Sequence, residues 1–383
     1  MKKIIVLLFT LLLISGTQTV FAEENKTLKT SAKAVYVTDG NAKDELYSFD
    51  ADKRYPIASM VKIMTALITC EAIERGNAKV DEQIVVTPTA SGMGGSQMFL
   101  DSGLSYPLGD LLKGVIVVSA NDACLAIAER LQGSEEGFVE TMNARAKELG
   151  MQNTHFANCT GLPASGGYSS ARDVAKMLSE LSKHELYHTY SKVWLEDYVH
   201  PDGRTTTFTN TNKLIRFYDG CDGGKTGFTN EAGFCLAATA KKNGIRVISV
   251  VIGESDSKTR FADSTKLLNY AFGAYTSKTL LKAGEIIGEE NLKGGKEPLV
   301  YGVKDDFTVT VKRGDNDEYE VKTVINDLEL PVAAGDIVGK VYAVKGGEIV
   351  EERDLYAFNS VEKQTYGDSL EDVLGKWGVK TDR

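Results

Sequence analysis

The sequence predicts a mixed α/β domain followed by a smaller all-β domain. Alternating apolar residues on both sides of Asp39-Gly40-Asn41 predict a β-hairpin near the start of the chain. Two further strand-like runs flank Asn243-Gly244, a typical hairpin turn, and helical patterns fill the chain between the two hairpins. Toward the C-terminus no long helical pattern is present, and strand-like alternation with frequent glycine takes its place. A chain of 383 residues is also longer than one ordinary core requires.

The predicted elements follow in order along the chain. The first hairpin, over residues 34–37 and 46–49, leads into an apolar helix that begins near Ser59 and ends at Gly76, a plausible C-cap. Apolar spacing then predicts helices over residues 108–118, 122–128, 135–149, 171–183 and 263–272. Strands around the second turn are predicted over residues 233–238 and 245–251, and those of the all-β domain over 307–311, 319–324 and 337–341.

Residues 1–22 are predicted to be a signal peptide and not part of the fold. Two lysines precede an apolar run over residues 4–14 that is too short to span a bilayer, and Val20-Phe21-Ala22 offers small residues where a signal peptidase cleaves. The alternative is an uncleaved N-terminal anchor. We expect an exported protein that works outside the cytoplasm, with an α/β domain over residues 23–275, an all-β domain over 276–356 and a short amphipathic tail over 357–383.

Composition and residue spacing argue against nucleic-acid binding and against a metal or cofactor. The chain has a formal charge of −9 and no basic cluster. Its four histidines and five cysteines show no CxxC pair and no metal-ligand spacing, and the glycine-rich loop over residues 91–96 lacks the spacing of a phosphate-binding loop. Three cysteines lie in apolar patterns typical of a core. Cys159 and Cys221 lie in loop-like sequence and could form a disulfide.

The first candidate for catalysis is the pair Ser59 and Lys62 at the start of an apolar helix. Residues three apart share a helix face, so their side-chain tips lie within reach of each other. A serine hydroxyl becomes a good nucleophile only when a base takes its proton, and a lysine is such a base only as a free amine. Apolar neighbours would lower the pKa of the Lys62 ammonium from its reference value of about 10.4. We therefore hypothesise that Ser59 attacks a carbonyl with Lys62 as its base.

The same spacing occurs at two other places in the chain. Ser255–Lys258 and Ser360–Lys363 lie in polar sequence without an apolar helix behind them. Such copies show that a bare Ser-x-x-Lys match is most often two solvated side chains. The first copy therefore depends on support from other segments.

Ser119 and Asn121 form a polar pair between two apolar helices. Burial of such groups is costly unless they line a cavity or find hydrogen-bond partners. Two interpretations stay open at this point. Either side chain could cap the helix that follows, or Ser119 relays a proton beside Lys62 while Asn121 donates its amide to a substrate carbonyl. Ser-x-Asn occurs once in the chain.

Lys225-Thr226-Gly227 is expected on or beside a strand that adjoins residues 233–238. Lys225 and Thr226 can hold a carboxylate through a charge and a hydroxyl. Gly227 lets a substrate backbone approach closely. The alternative is a basic residue in an ordinary turn.

The three motifs occur in the order found in penicillin-recognising serine enzymes: Ser59-x-x-Lys62, Ser119-x-Asn121 and Lys225-Thr226-Gly227. Over residues 31–353 the sequence more specifically resembles the low-molecular-mass penicillin-binding proteins that act as D-alanyl-D-alanine carboxypeptidases, and residues 55–59, 119–123, 167–173, 226–228 and 232–233 add to the match. The resemblance implies an α/β domain of the β-lactamase and transpeptidase fold, in which helices flank an antiparallel sheet. A small all-β domain and an amphipathic tail that rests on the membrane would follow.

The resemblance also implies which residues perform the chemistry. Ser59 would form an acyl-enzyme with the penultimate D-alanine carbonyl of a peptidoglycan stem peptide that ends in D-Ala-D-Ala, with Lys62 as the base. Ser119 would relay a proton to the leaving D-alanine, and Asn121 would orient the peptide. Water would then hydrolyse the ester, whereas β-lactam antibiotics would mimic the substrate and acylate Ser59.

The implied binding groups lie on the third motif. Lys225, Thr226 and Gly227 would bind the substrate, with the first two holding its terminal carboxylate. The backbone N–H groups of Ser59 and Phe228 would form an oxyanion hole. The resemblance implies no metal and no cofactor.

Two rival functions fit parts of the same pattern. A class A β-lactamase would carry Ser-Asp-Asn where this chain has Ser119-Ala120-Asn121, and it would not need an all-β domain. A penicillin sensor that is acylated without turnover should carry a transmembrane relay, and no segment after the leader is long and apolar enough. The short tail is flanked by acidic residues, so peripheral membrane contact and a soluble interaction tail both stay open.

Overall fold

The structure, a computed structural model, describes residues 28–365 and residue 367. The described chain from Ser31 onward forms one compact unit. The predicted signal peptide and most of the predicted amphipathic tail lie outside the described residues. Within the described part of the chain, no helix is long and apolar enough to cross a membrane, and no three histidine, cysteine or acidic side chains group as metal ligands.

The α/β part of the described chain is built from strands and helices that alternate irregularly. Its strands are β1 (Ala34–Asp39), β2 (Glu45–Phe49), β3 (Gln83–Val85), β4 (Ser105–Pro107), β5 (Leu195–Val199), β6 (Thr205–Thr209), β7 (Cys221–Thr229), β8 (Gly233–Lys242) and β9 (Ile245–Glu254). Its helices are α1 (Lys62–Glu74), α2 (Pro88–Ser91), α3 (Leu108–Val117), α4 (Asn121–Gln132), α5 (Glu135–Glu148), α6 (Ala171–Leu181), α7 (Glu185–Ser191), α8 (Leu214–Phe217) and α9 (Ser257–Ala274). A 3-10 turn, Ala58–Val61, precedes α1.

A five-stranded antiparallel sheet has the spatial order β2-β1-β9-β8-β7. Both predicted hairpins are present, and they join because β1 pairs with β9. Asn243 and Gly244 have φ values of +50° and +80°, which form the tight turn that the sequence predicts. Among the described strands β7 pairs only with β8, so one edge of β7 is open.

The predicted helices are confirmed, and three of their ends differ from the predicted positions by more than two residues. Ser59 lies in the 3-10 turn, and the α-helix itself begins three residues later at Lys62; such tight turns are common at helix ends. Helix α4 extends beyond the predicted residue 128 to Gln132. Helix α9 begins earlier than predicted because the Asp256 carboxylate accepts a hydrogen bond from the N–H of Thr259 at 2.9 Å and caps it.

Helix α1 is buried on nearly every side. Every residue from Lys62 to Glu71 is buried, so this helix lacks the polar stripe of a surface helix. It packs against α3, α4 and α6, which carry most of the remaining apolar core of the α/β part. The start of α1 is therefore held in place by packing from several directions.

All regular secondary-structure elements between residues 275 and 365 are strands, which confirms the predicted all-β domain. These strands are β10 (Tyr275–Leu281), β11 (Ile286–Glu290), β12 (Leu299–Gly302), β13 (Phe307–Lys312), β14 (Glu320–Ile325), β15 (Ile337–Lys345) and β16 (Glu348–Ala357). Five of them form a sheet in the order β11-β12-β16-β15-β14, and β10 pairs with β13. Leu299, Phe307 and Leu355 are fully buried in a separate core.

All five cysteines are free and buried. The suggested disulfide between Cys159 and Cys221 is therefore wrong. The Cys159 thiol donates to the Glu135 carboxylate at 3.2 Å, and the Cys221 thiol donates to the Gly223 carbonyl at 3.5 Å. Burial raises the pKa of both thiols, which keeps them protonated and unreactive.

Glu254, which is buried, and Asp263, which is half-buried, form an acidic pair where β9 meets α9. The Ser31 hydroxyl donates to Glu254, and the Ser31 backbone N–H donates to Asp263 at 3.2 Å. Burial raises the pKa of Glu254 from 4.5 to about 7, and the negative charge of Asp263 acts in the same direction. Glu254 therefore keeps its proton in the folded protein at a pH where it is ionised in the unfolded chain.

We predict that this pair makes the protein less stable as the pH rises from about 4.5 to about 7. In that window the folded state binds more protons than the unfolded state, so the free energy of unfolding falls with pH. Glu254→Gln removes the titration and should flatten the curve. Urea unfolding at several pH values measures this effect, with the exposed Glu290→Gln as the control. An unchanged pH dependence in Glu254→Gln would contradict the assignment.

Candidate active site

The structure places Ser59 and Lys62 in direct hydrogen-bond contact. Nζ of Lys62 lies 3.1 Å from Oγ of Ser59. The same Nζ donates a hydrogen bond of 2.5 Å to the backbone carbonyl of Thr160. Ser59 is partly exposed, whereas Lys62 is only 1% exposed, so a substrate can reach the hydroxyl but not the amine.

Burial controls the charge of Lys62. Removal of its ammonium from water lowers the pKa of this group, against the opposing influence of Cys124, Cys159 and Asp122. A lysine with a lowered pKa is available as the free amine at a lower pH than a solvated lysine. The arrangement can therefore place a neutral amine beside the Ser59 hydroxyl, which is what general-base activation of a serine requires.

Ser119 lies in the short connection between α3 and α4, and it does not cap a helix. Ala120 is the N-cap residue of α4, and no side chain makes a capping hydrogen bond there. Oγ of Ser119 is buried and has no hydrogen-bond partner. Its backbone has φ +65°, a left-handed conformation that is costly for a residue with a side chain. The capping interpretation is therefore wrong, and the hydroxyl is free for another use.

Asn121 is held by the loop that precedes α3. Its backbone N–H donates to the carbonyl of Ser96 at 2.7 Å, and its side-chain Nδ2 donates to the carbonyl of Gly94 at 2.6 Å. Oδ1 is buried without a partner. One amide N–H that we expected to reach a substrate carbonyl is thus occupied by Gly94, and the free group of the side chain is an acceptor.

Asp122, which the sequence analysis gave no role, fixes this loop. Its carboxylate accepts hydrogen bonds from the backbone N–H groups of Met98 at 3.1 Å and Leu100 at 3.0 Å. Asp122 is fully buried, and a buried carboxylate needs such donors. Together with the two hydrogen bonds from Asn121, these contacts hold the glycine-rich loop, residues 91–96, close to the start of α4.

The third motif lies on strand β7, as predicted, and touches the turn that carries Ser59. A Cβ atom added to Gly227 would lie 2.7 Å from the carbonyl oxygen of Ile57 and 3.2 Å from the backbone nitrogen of Ser59. Only glycine permits this approach without displacement of the turn. The backbone of β7 is thus in contact with the backbone of the candidate nucleophile.

Lys225 and Lys62 lie close enough for their charges to interact. Burial lowers the pKa of Lys225 well below its ordinary value, and the positive charge of Lys62 lowers it further. Lys225 is 4% exposed, and its Nζ donates to the carbonyl of Thr226 at 3.1 Å. An anion bound beside these two amines would favour their charged forms and oppose the effect of burial. The three motifs, far apart in sequence, thus meet in one region.

Phe228 follows Gly227 on β7 and presents its ring to solvent. The side chain is 50% exposed, and its ring stacks on that of Phe234 with 4.2 Å between centroids. Phe234 lies directly opposite Phe228 in the β7–β8 register. The stacked rings stabilise β7 at Phe228, whose backbone N–H is predicted to be one of the two oxyanion-hole donors.

Comparisons with known proteins identify the family. The model of the D-alanyl-D-alanine carboxypeptidase family, peptidase S11, matches residues 19–256, and that of the penicillin-binding protein 5 C-terminal domain matches residues 275–363. The chain belongs to the peptidase S11 family of D-alanyl-D-alanine carboxypeptidases. It is an enzyme of the serine-peptidase type that the sequence predicts, with the predicted fold class.

Individual members of the S11 family resemble the chain over most of its length. D-alanyl-D-alanine carboxypeptidase DacF of Bacillus subtilis is 36% identical over 98% of this chain and 99% of its own. DacA of Escherichia coli is 31% identical over 90% of this chain and 87% of its own. The solved structure of penicillin-binding protein 5 from Haemophilus influenzae is 31% identical, with a TM-score of 0.66 over 88% of this chain and 98% of that one.

Arg260 is a further site residue that the sequence analysis missed. Its guanidinium donates to the carbonyls of Gly227 and Cys235, each at 3.3 Å, and so supports β7 and β8. Burial lowers its pKa to about 10. The sequence spacing could have indicated its burial, because Arg260 shares the buried face of α9 with Ser264 and Leu267.

The sequence analysis also gave no role to Thr160 and Gly161, which contact Lys62 and the turn that carries Ser59. Thr160 offers the carbonyl that holds Lys62. Gly161 has φ +79°, and a Cβ atom added there would lie 2.0 Å from the carbonyl oxygen of Ala58. Asn158 organises both, since its Oδ1 accepts from the N–H groups of Thr160 at 3.2 Å and Gly161 at 2.7 Å.

We predict that Gly161→Ala lowers the rate of acylation by a labelled penicillin at least tenfold. The new methyl group must displace Ala58 and with it the turn that carries Ser59. The matched control is Gly166→Ala, because Gly166 also has a left-handed φ, +84°, but has no atom within 4 Å of an added Cβ. It carries the same backbone strain, of about 1 kcal/mol, without the collision. Equal rates for the two variants would argue against the contact.

Proposed function

We propose that the protein removes the terminal D-alanine from peptidoglycan stem peptides through an acyl-enzyme on Ser59. The observation that carries this proposal is the 3.1 Å contact between Nζ of Lys62 and Oγ of Ser59, at a site where burial favours the neutral amine. Membership in the S11 family supports the substrate class, since that family is named for this activity.

Acylation starts when Oγ of Ser59 attacks the carbonyl carbon of the penultimate D-alanine and its proton passes to Nζ of Lys62. The carbonyl oxygen becomes negatively charged, and the backbone N–H groups of Ser59 and Phe228 stabilise it. In other enzymes the loss of one such donor costs about 10²–10³ in rate. The C–N bond then breaks, and Ser119 passes the proton from Lys62 to the leaving D-alanine nitrogen.

Deacylation runs these steps in reverse, with water in place of the D-alanine amine. A water molecule attacks the ester carbonyl, Lys62 accepts its proton, and the tetrahedral intermediate expels Oγ of Ser59, which recovers the proton. The products are the shortened peptide and the free enzyme. β-Lactams enter the first half of this cycle because their ring carbonyl takes the place of the scissile amide.

The substrate carboxylate has a second effect on the two buried amines. In our proposal it binds Lys225 and the hydroxyl of Thr226, which favours the charged form of Lys225. A charged Lys225 in turn disfavours a charge on Lys62, because the two groups repel each other. Binding of the correct substrate would thus help to keep the base neutral when it is needed.

Asn121 and Gly227 have positioning roles in this scheme. The free Oδ1 of Asn121 accepts a hydrogen bond from a substrate N–H, which orients the stem peptide. Gly227 lets the turn that carries Ser59 lie against β7, whose open edge is where we propose that the peptide binds. Neither a metal nor a cofactor takes part in any step.

We also propose the cellular setting and the domain limits that the sequence suggests. Residues 1–22 act as a signal peptide, the catalytic domain spans residues 23–275 and the all-β domain spans 276–356. The enzyme then acts on the cell wall outside the cytoplasm, where it contributes to cell shape. The tail, residues 357–383, gives it peripheral contact with the membrane surface.

We predict that Ser59→Ala and Lys62→Ala each abolish release of D-alanine from a diacetyl-Lys-D-Ala-D-Ala peptide. Ser59→Ala removes the nucleophile, and Lys62→Ala removes the base, each with an expected loss of at least 10³-fold. The second Ser-x-x-Lys copy supplies matched controls, since Ser255→Ala and Lys258→Ala make the same changes in polar sequence. D-Alanine release and labelled penicillin uptake are measured on all four variants.

The same assays separate the alternatives. If the wild-type protein takes up penicillin but releases no D-alanine, it is a binding protein and the proposed activity fails. If Lys62→Ala is still acylated at the wild-type rate, Lys62 is not the base.

Because the Lys62 amine must be neutral, kcat/KM should rise with pH through the lowered pKa of this group.

We further predict that Ser119→Ala lowers turnover without a loss of stability. Oγ of Ser119 is buried and unpaired, so its removal relieves a desolvation cost of about 1–3 kcal/mol in the folded state. Ser264→Ala is the control, because its hydroxyl is also buried and unpaired but lies on α9 outside the proposed relay. Thermal unfolding and D-alanine release are measured together; full activity in Ser119→Ala would exclude the relay.

A further inference from the structure

A pocket beside Ser59 has no role in the steps proposed above. It lies between three segments: the turn that leads to Ser59, the irregular segment over residues 155–168, and the end of β7 with the turn after it. Its volume is about 40 Å³, room for about three water-sized groups. It therefore suits a slender chain of a few methylene groups better than a ring.

Hydrogen bonds and packing within the protein hold the walls of this pocket in place. Gly161 packs against the carbonyl of Ala58, directly beside Ser59. Nδ2 of Asn158 donates to the carbonyl of Leu162 at 2.9 Å, so Asn158 holds the irregular segment from both sides. Phe156 is buried and anchored by Asn143, which both donates to and accepts from its backbone at 2.9 Å. The pocket walls are thus held in place by the protein's own hydrogen bonds.

The proposed function fixes which part of the substrate reaches this pocket. The terminal carboxylate lies at Lys225 and Thr226, and the scissile carbonyl lies between the N–H groups of Ser59 and Phe228. A peptide on the open edge of β7 then runs antiparallel to the strand, at about 3.3 Å per residue. The residue before the two D-alanines therefore lies beside Thr229, which lines the pocket.

The chemistry of the lining is apolar with one acidic group at its rim. Ile57, Val61 and Leu162 supply apolar surface. Glu231, in the turn after β7, is exposed and lines the pocket, and no side chain among the described residues pairs with its carboxylate. The lining therefore combines a surface for methylene groups with an unpaired negative charge.

His155 adds an acceptor to the same lining. Its Nδ1 lies 3.0 Å from the carbonyl of Gly166, so this nitrogen carries the proton and donates it. In that tautomer Nε2 is the acceptor of the ring. The guanidinium of Arg54 donates to Oδ1 of Asn153 at 3.1 Å and stacks on the ring of Tyr168 at 4.8 Å. It does not line the pocket.

We propose that this pocket binds the side chain of the residue before the two D-alanines, and that Glu231 selects a side chain that ends in an ammonium group. The inference rests on the proposed function, because the direction of the peptide along β7 comes from it. The methylene stem lies on the apolar lining, and the ammonium donates to the Glu231 carboxylate and to Nε2 of His155. Glu231 is a specificity residue and takes no part in the bond-breaking steps.

The test compares two tripeptides that differ only in charge. One is Nα-acetyl-L-lysyl-D-alanyl-D-alanine with a free ε-ammonium group, and the other carries an acetyl group on the ε-nitrogen. The full-length wild-type enzyme should favour the free ammonium by about fivefold in kcat/KM, the value of a partly exposed ion pair. Glu231→Gln should reduce this preference to about one and leave kcat/KM for the acetylated peptide unchanged.

Glu290→Gln, on β11 of the all-β domain, is the matched control because it removes the same charge from an exposed position. It should keep the wild-type preference. The wild-type preference should also decrease in high salt, as expected for an exposed ion pair.

The outcomes distinguish this inference from the proposed function. If the wild-type enzyme releases D-alanine from neither peptide, the proposed function fails and the inference fails with it. If turnover proceeds but the wild type shows no preference, or Glu231→Gln keeps it, the subsite is wrong and the activity stands. Loss of the preference in Glu290→Gln as well would show an effect of net charge and overturn the local pairing.

Discussion

The structure depends on one buried amine. Lys62 stands at the start of a helix that is enclosed by other helices, and the cost of its charge in that place favours the neutral amine that the proposed base must be. The carbonyl of Thr160 holds the amine toward Ser59, so burial and orientation come from the same packing. A lysine at the same spacing on an exposed helix would keep its proton at neutral pH and could not act in this way.

The remaining features of the site are also unfavourable on their own and useful together. Ser119 has a left-handed backbone and an unpaired hydroxyl, Asn121 has an unpaired carbonyl oxygen, and Lys225 is a second buried amine beside the first. Each of these features costs free energy in the folded protein. A peptide that ends in a carboxylate can supply a hydrogen-bond or ionic partner to each of the three side chains. The apolar core around α1 is large enough to hold these groups in place.

Local chemistry explains which parts could be predicted from the sequence. The Ser59–Lys62 contact follows from helix geometry over four residues, and the turn at Asn243-Gly244 follows from its own conformational preferences. The contact of Thr160 with Lys62 joins segments about one hundred residues apart, which periodicity cannot reveal. Ser119 was ambiguous because a one-residue shift in the start of α4 decides between a cap and a free hydroxyl, and helix ends are the least certain part of a sequence pattern.

The family relationship and the geometry support each other at different levels. The comparisons establish the family over nearly the whole chain, whereas the roles of individual residues rest on the contacts described above. Arg260 illustrates the difference. It lies outside the three motifs, yet it holds Gly227 and Cys235 and so supports the strand on which the substrate is proposed to lie.

The five buried thiols have a practical consequence for how the chain reaches its native state. Since none is joined to another, no covalent cross-link has to form during folding. The polypeptide can therefore fold in a reducing medium without a thiol oxidase or a disulfide isomerase. Recombinant production in the bacterial cytosol needs no oxidising strain. The hydrophobic packing alone closes the loops that disulfides close in many secreted enzymes.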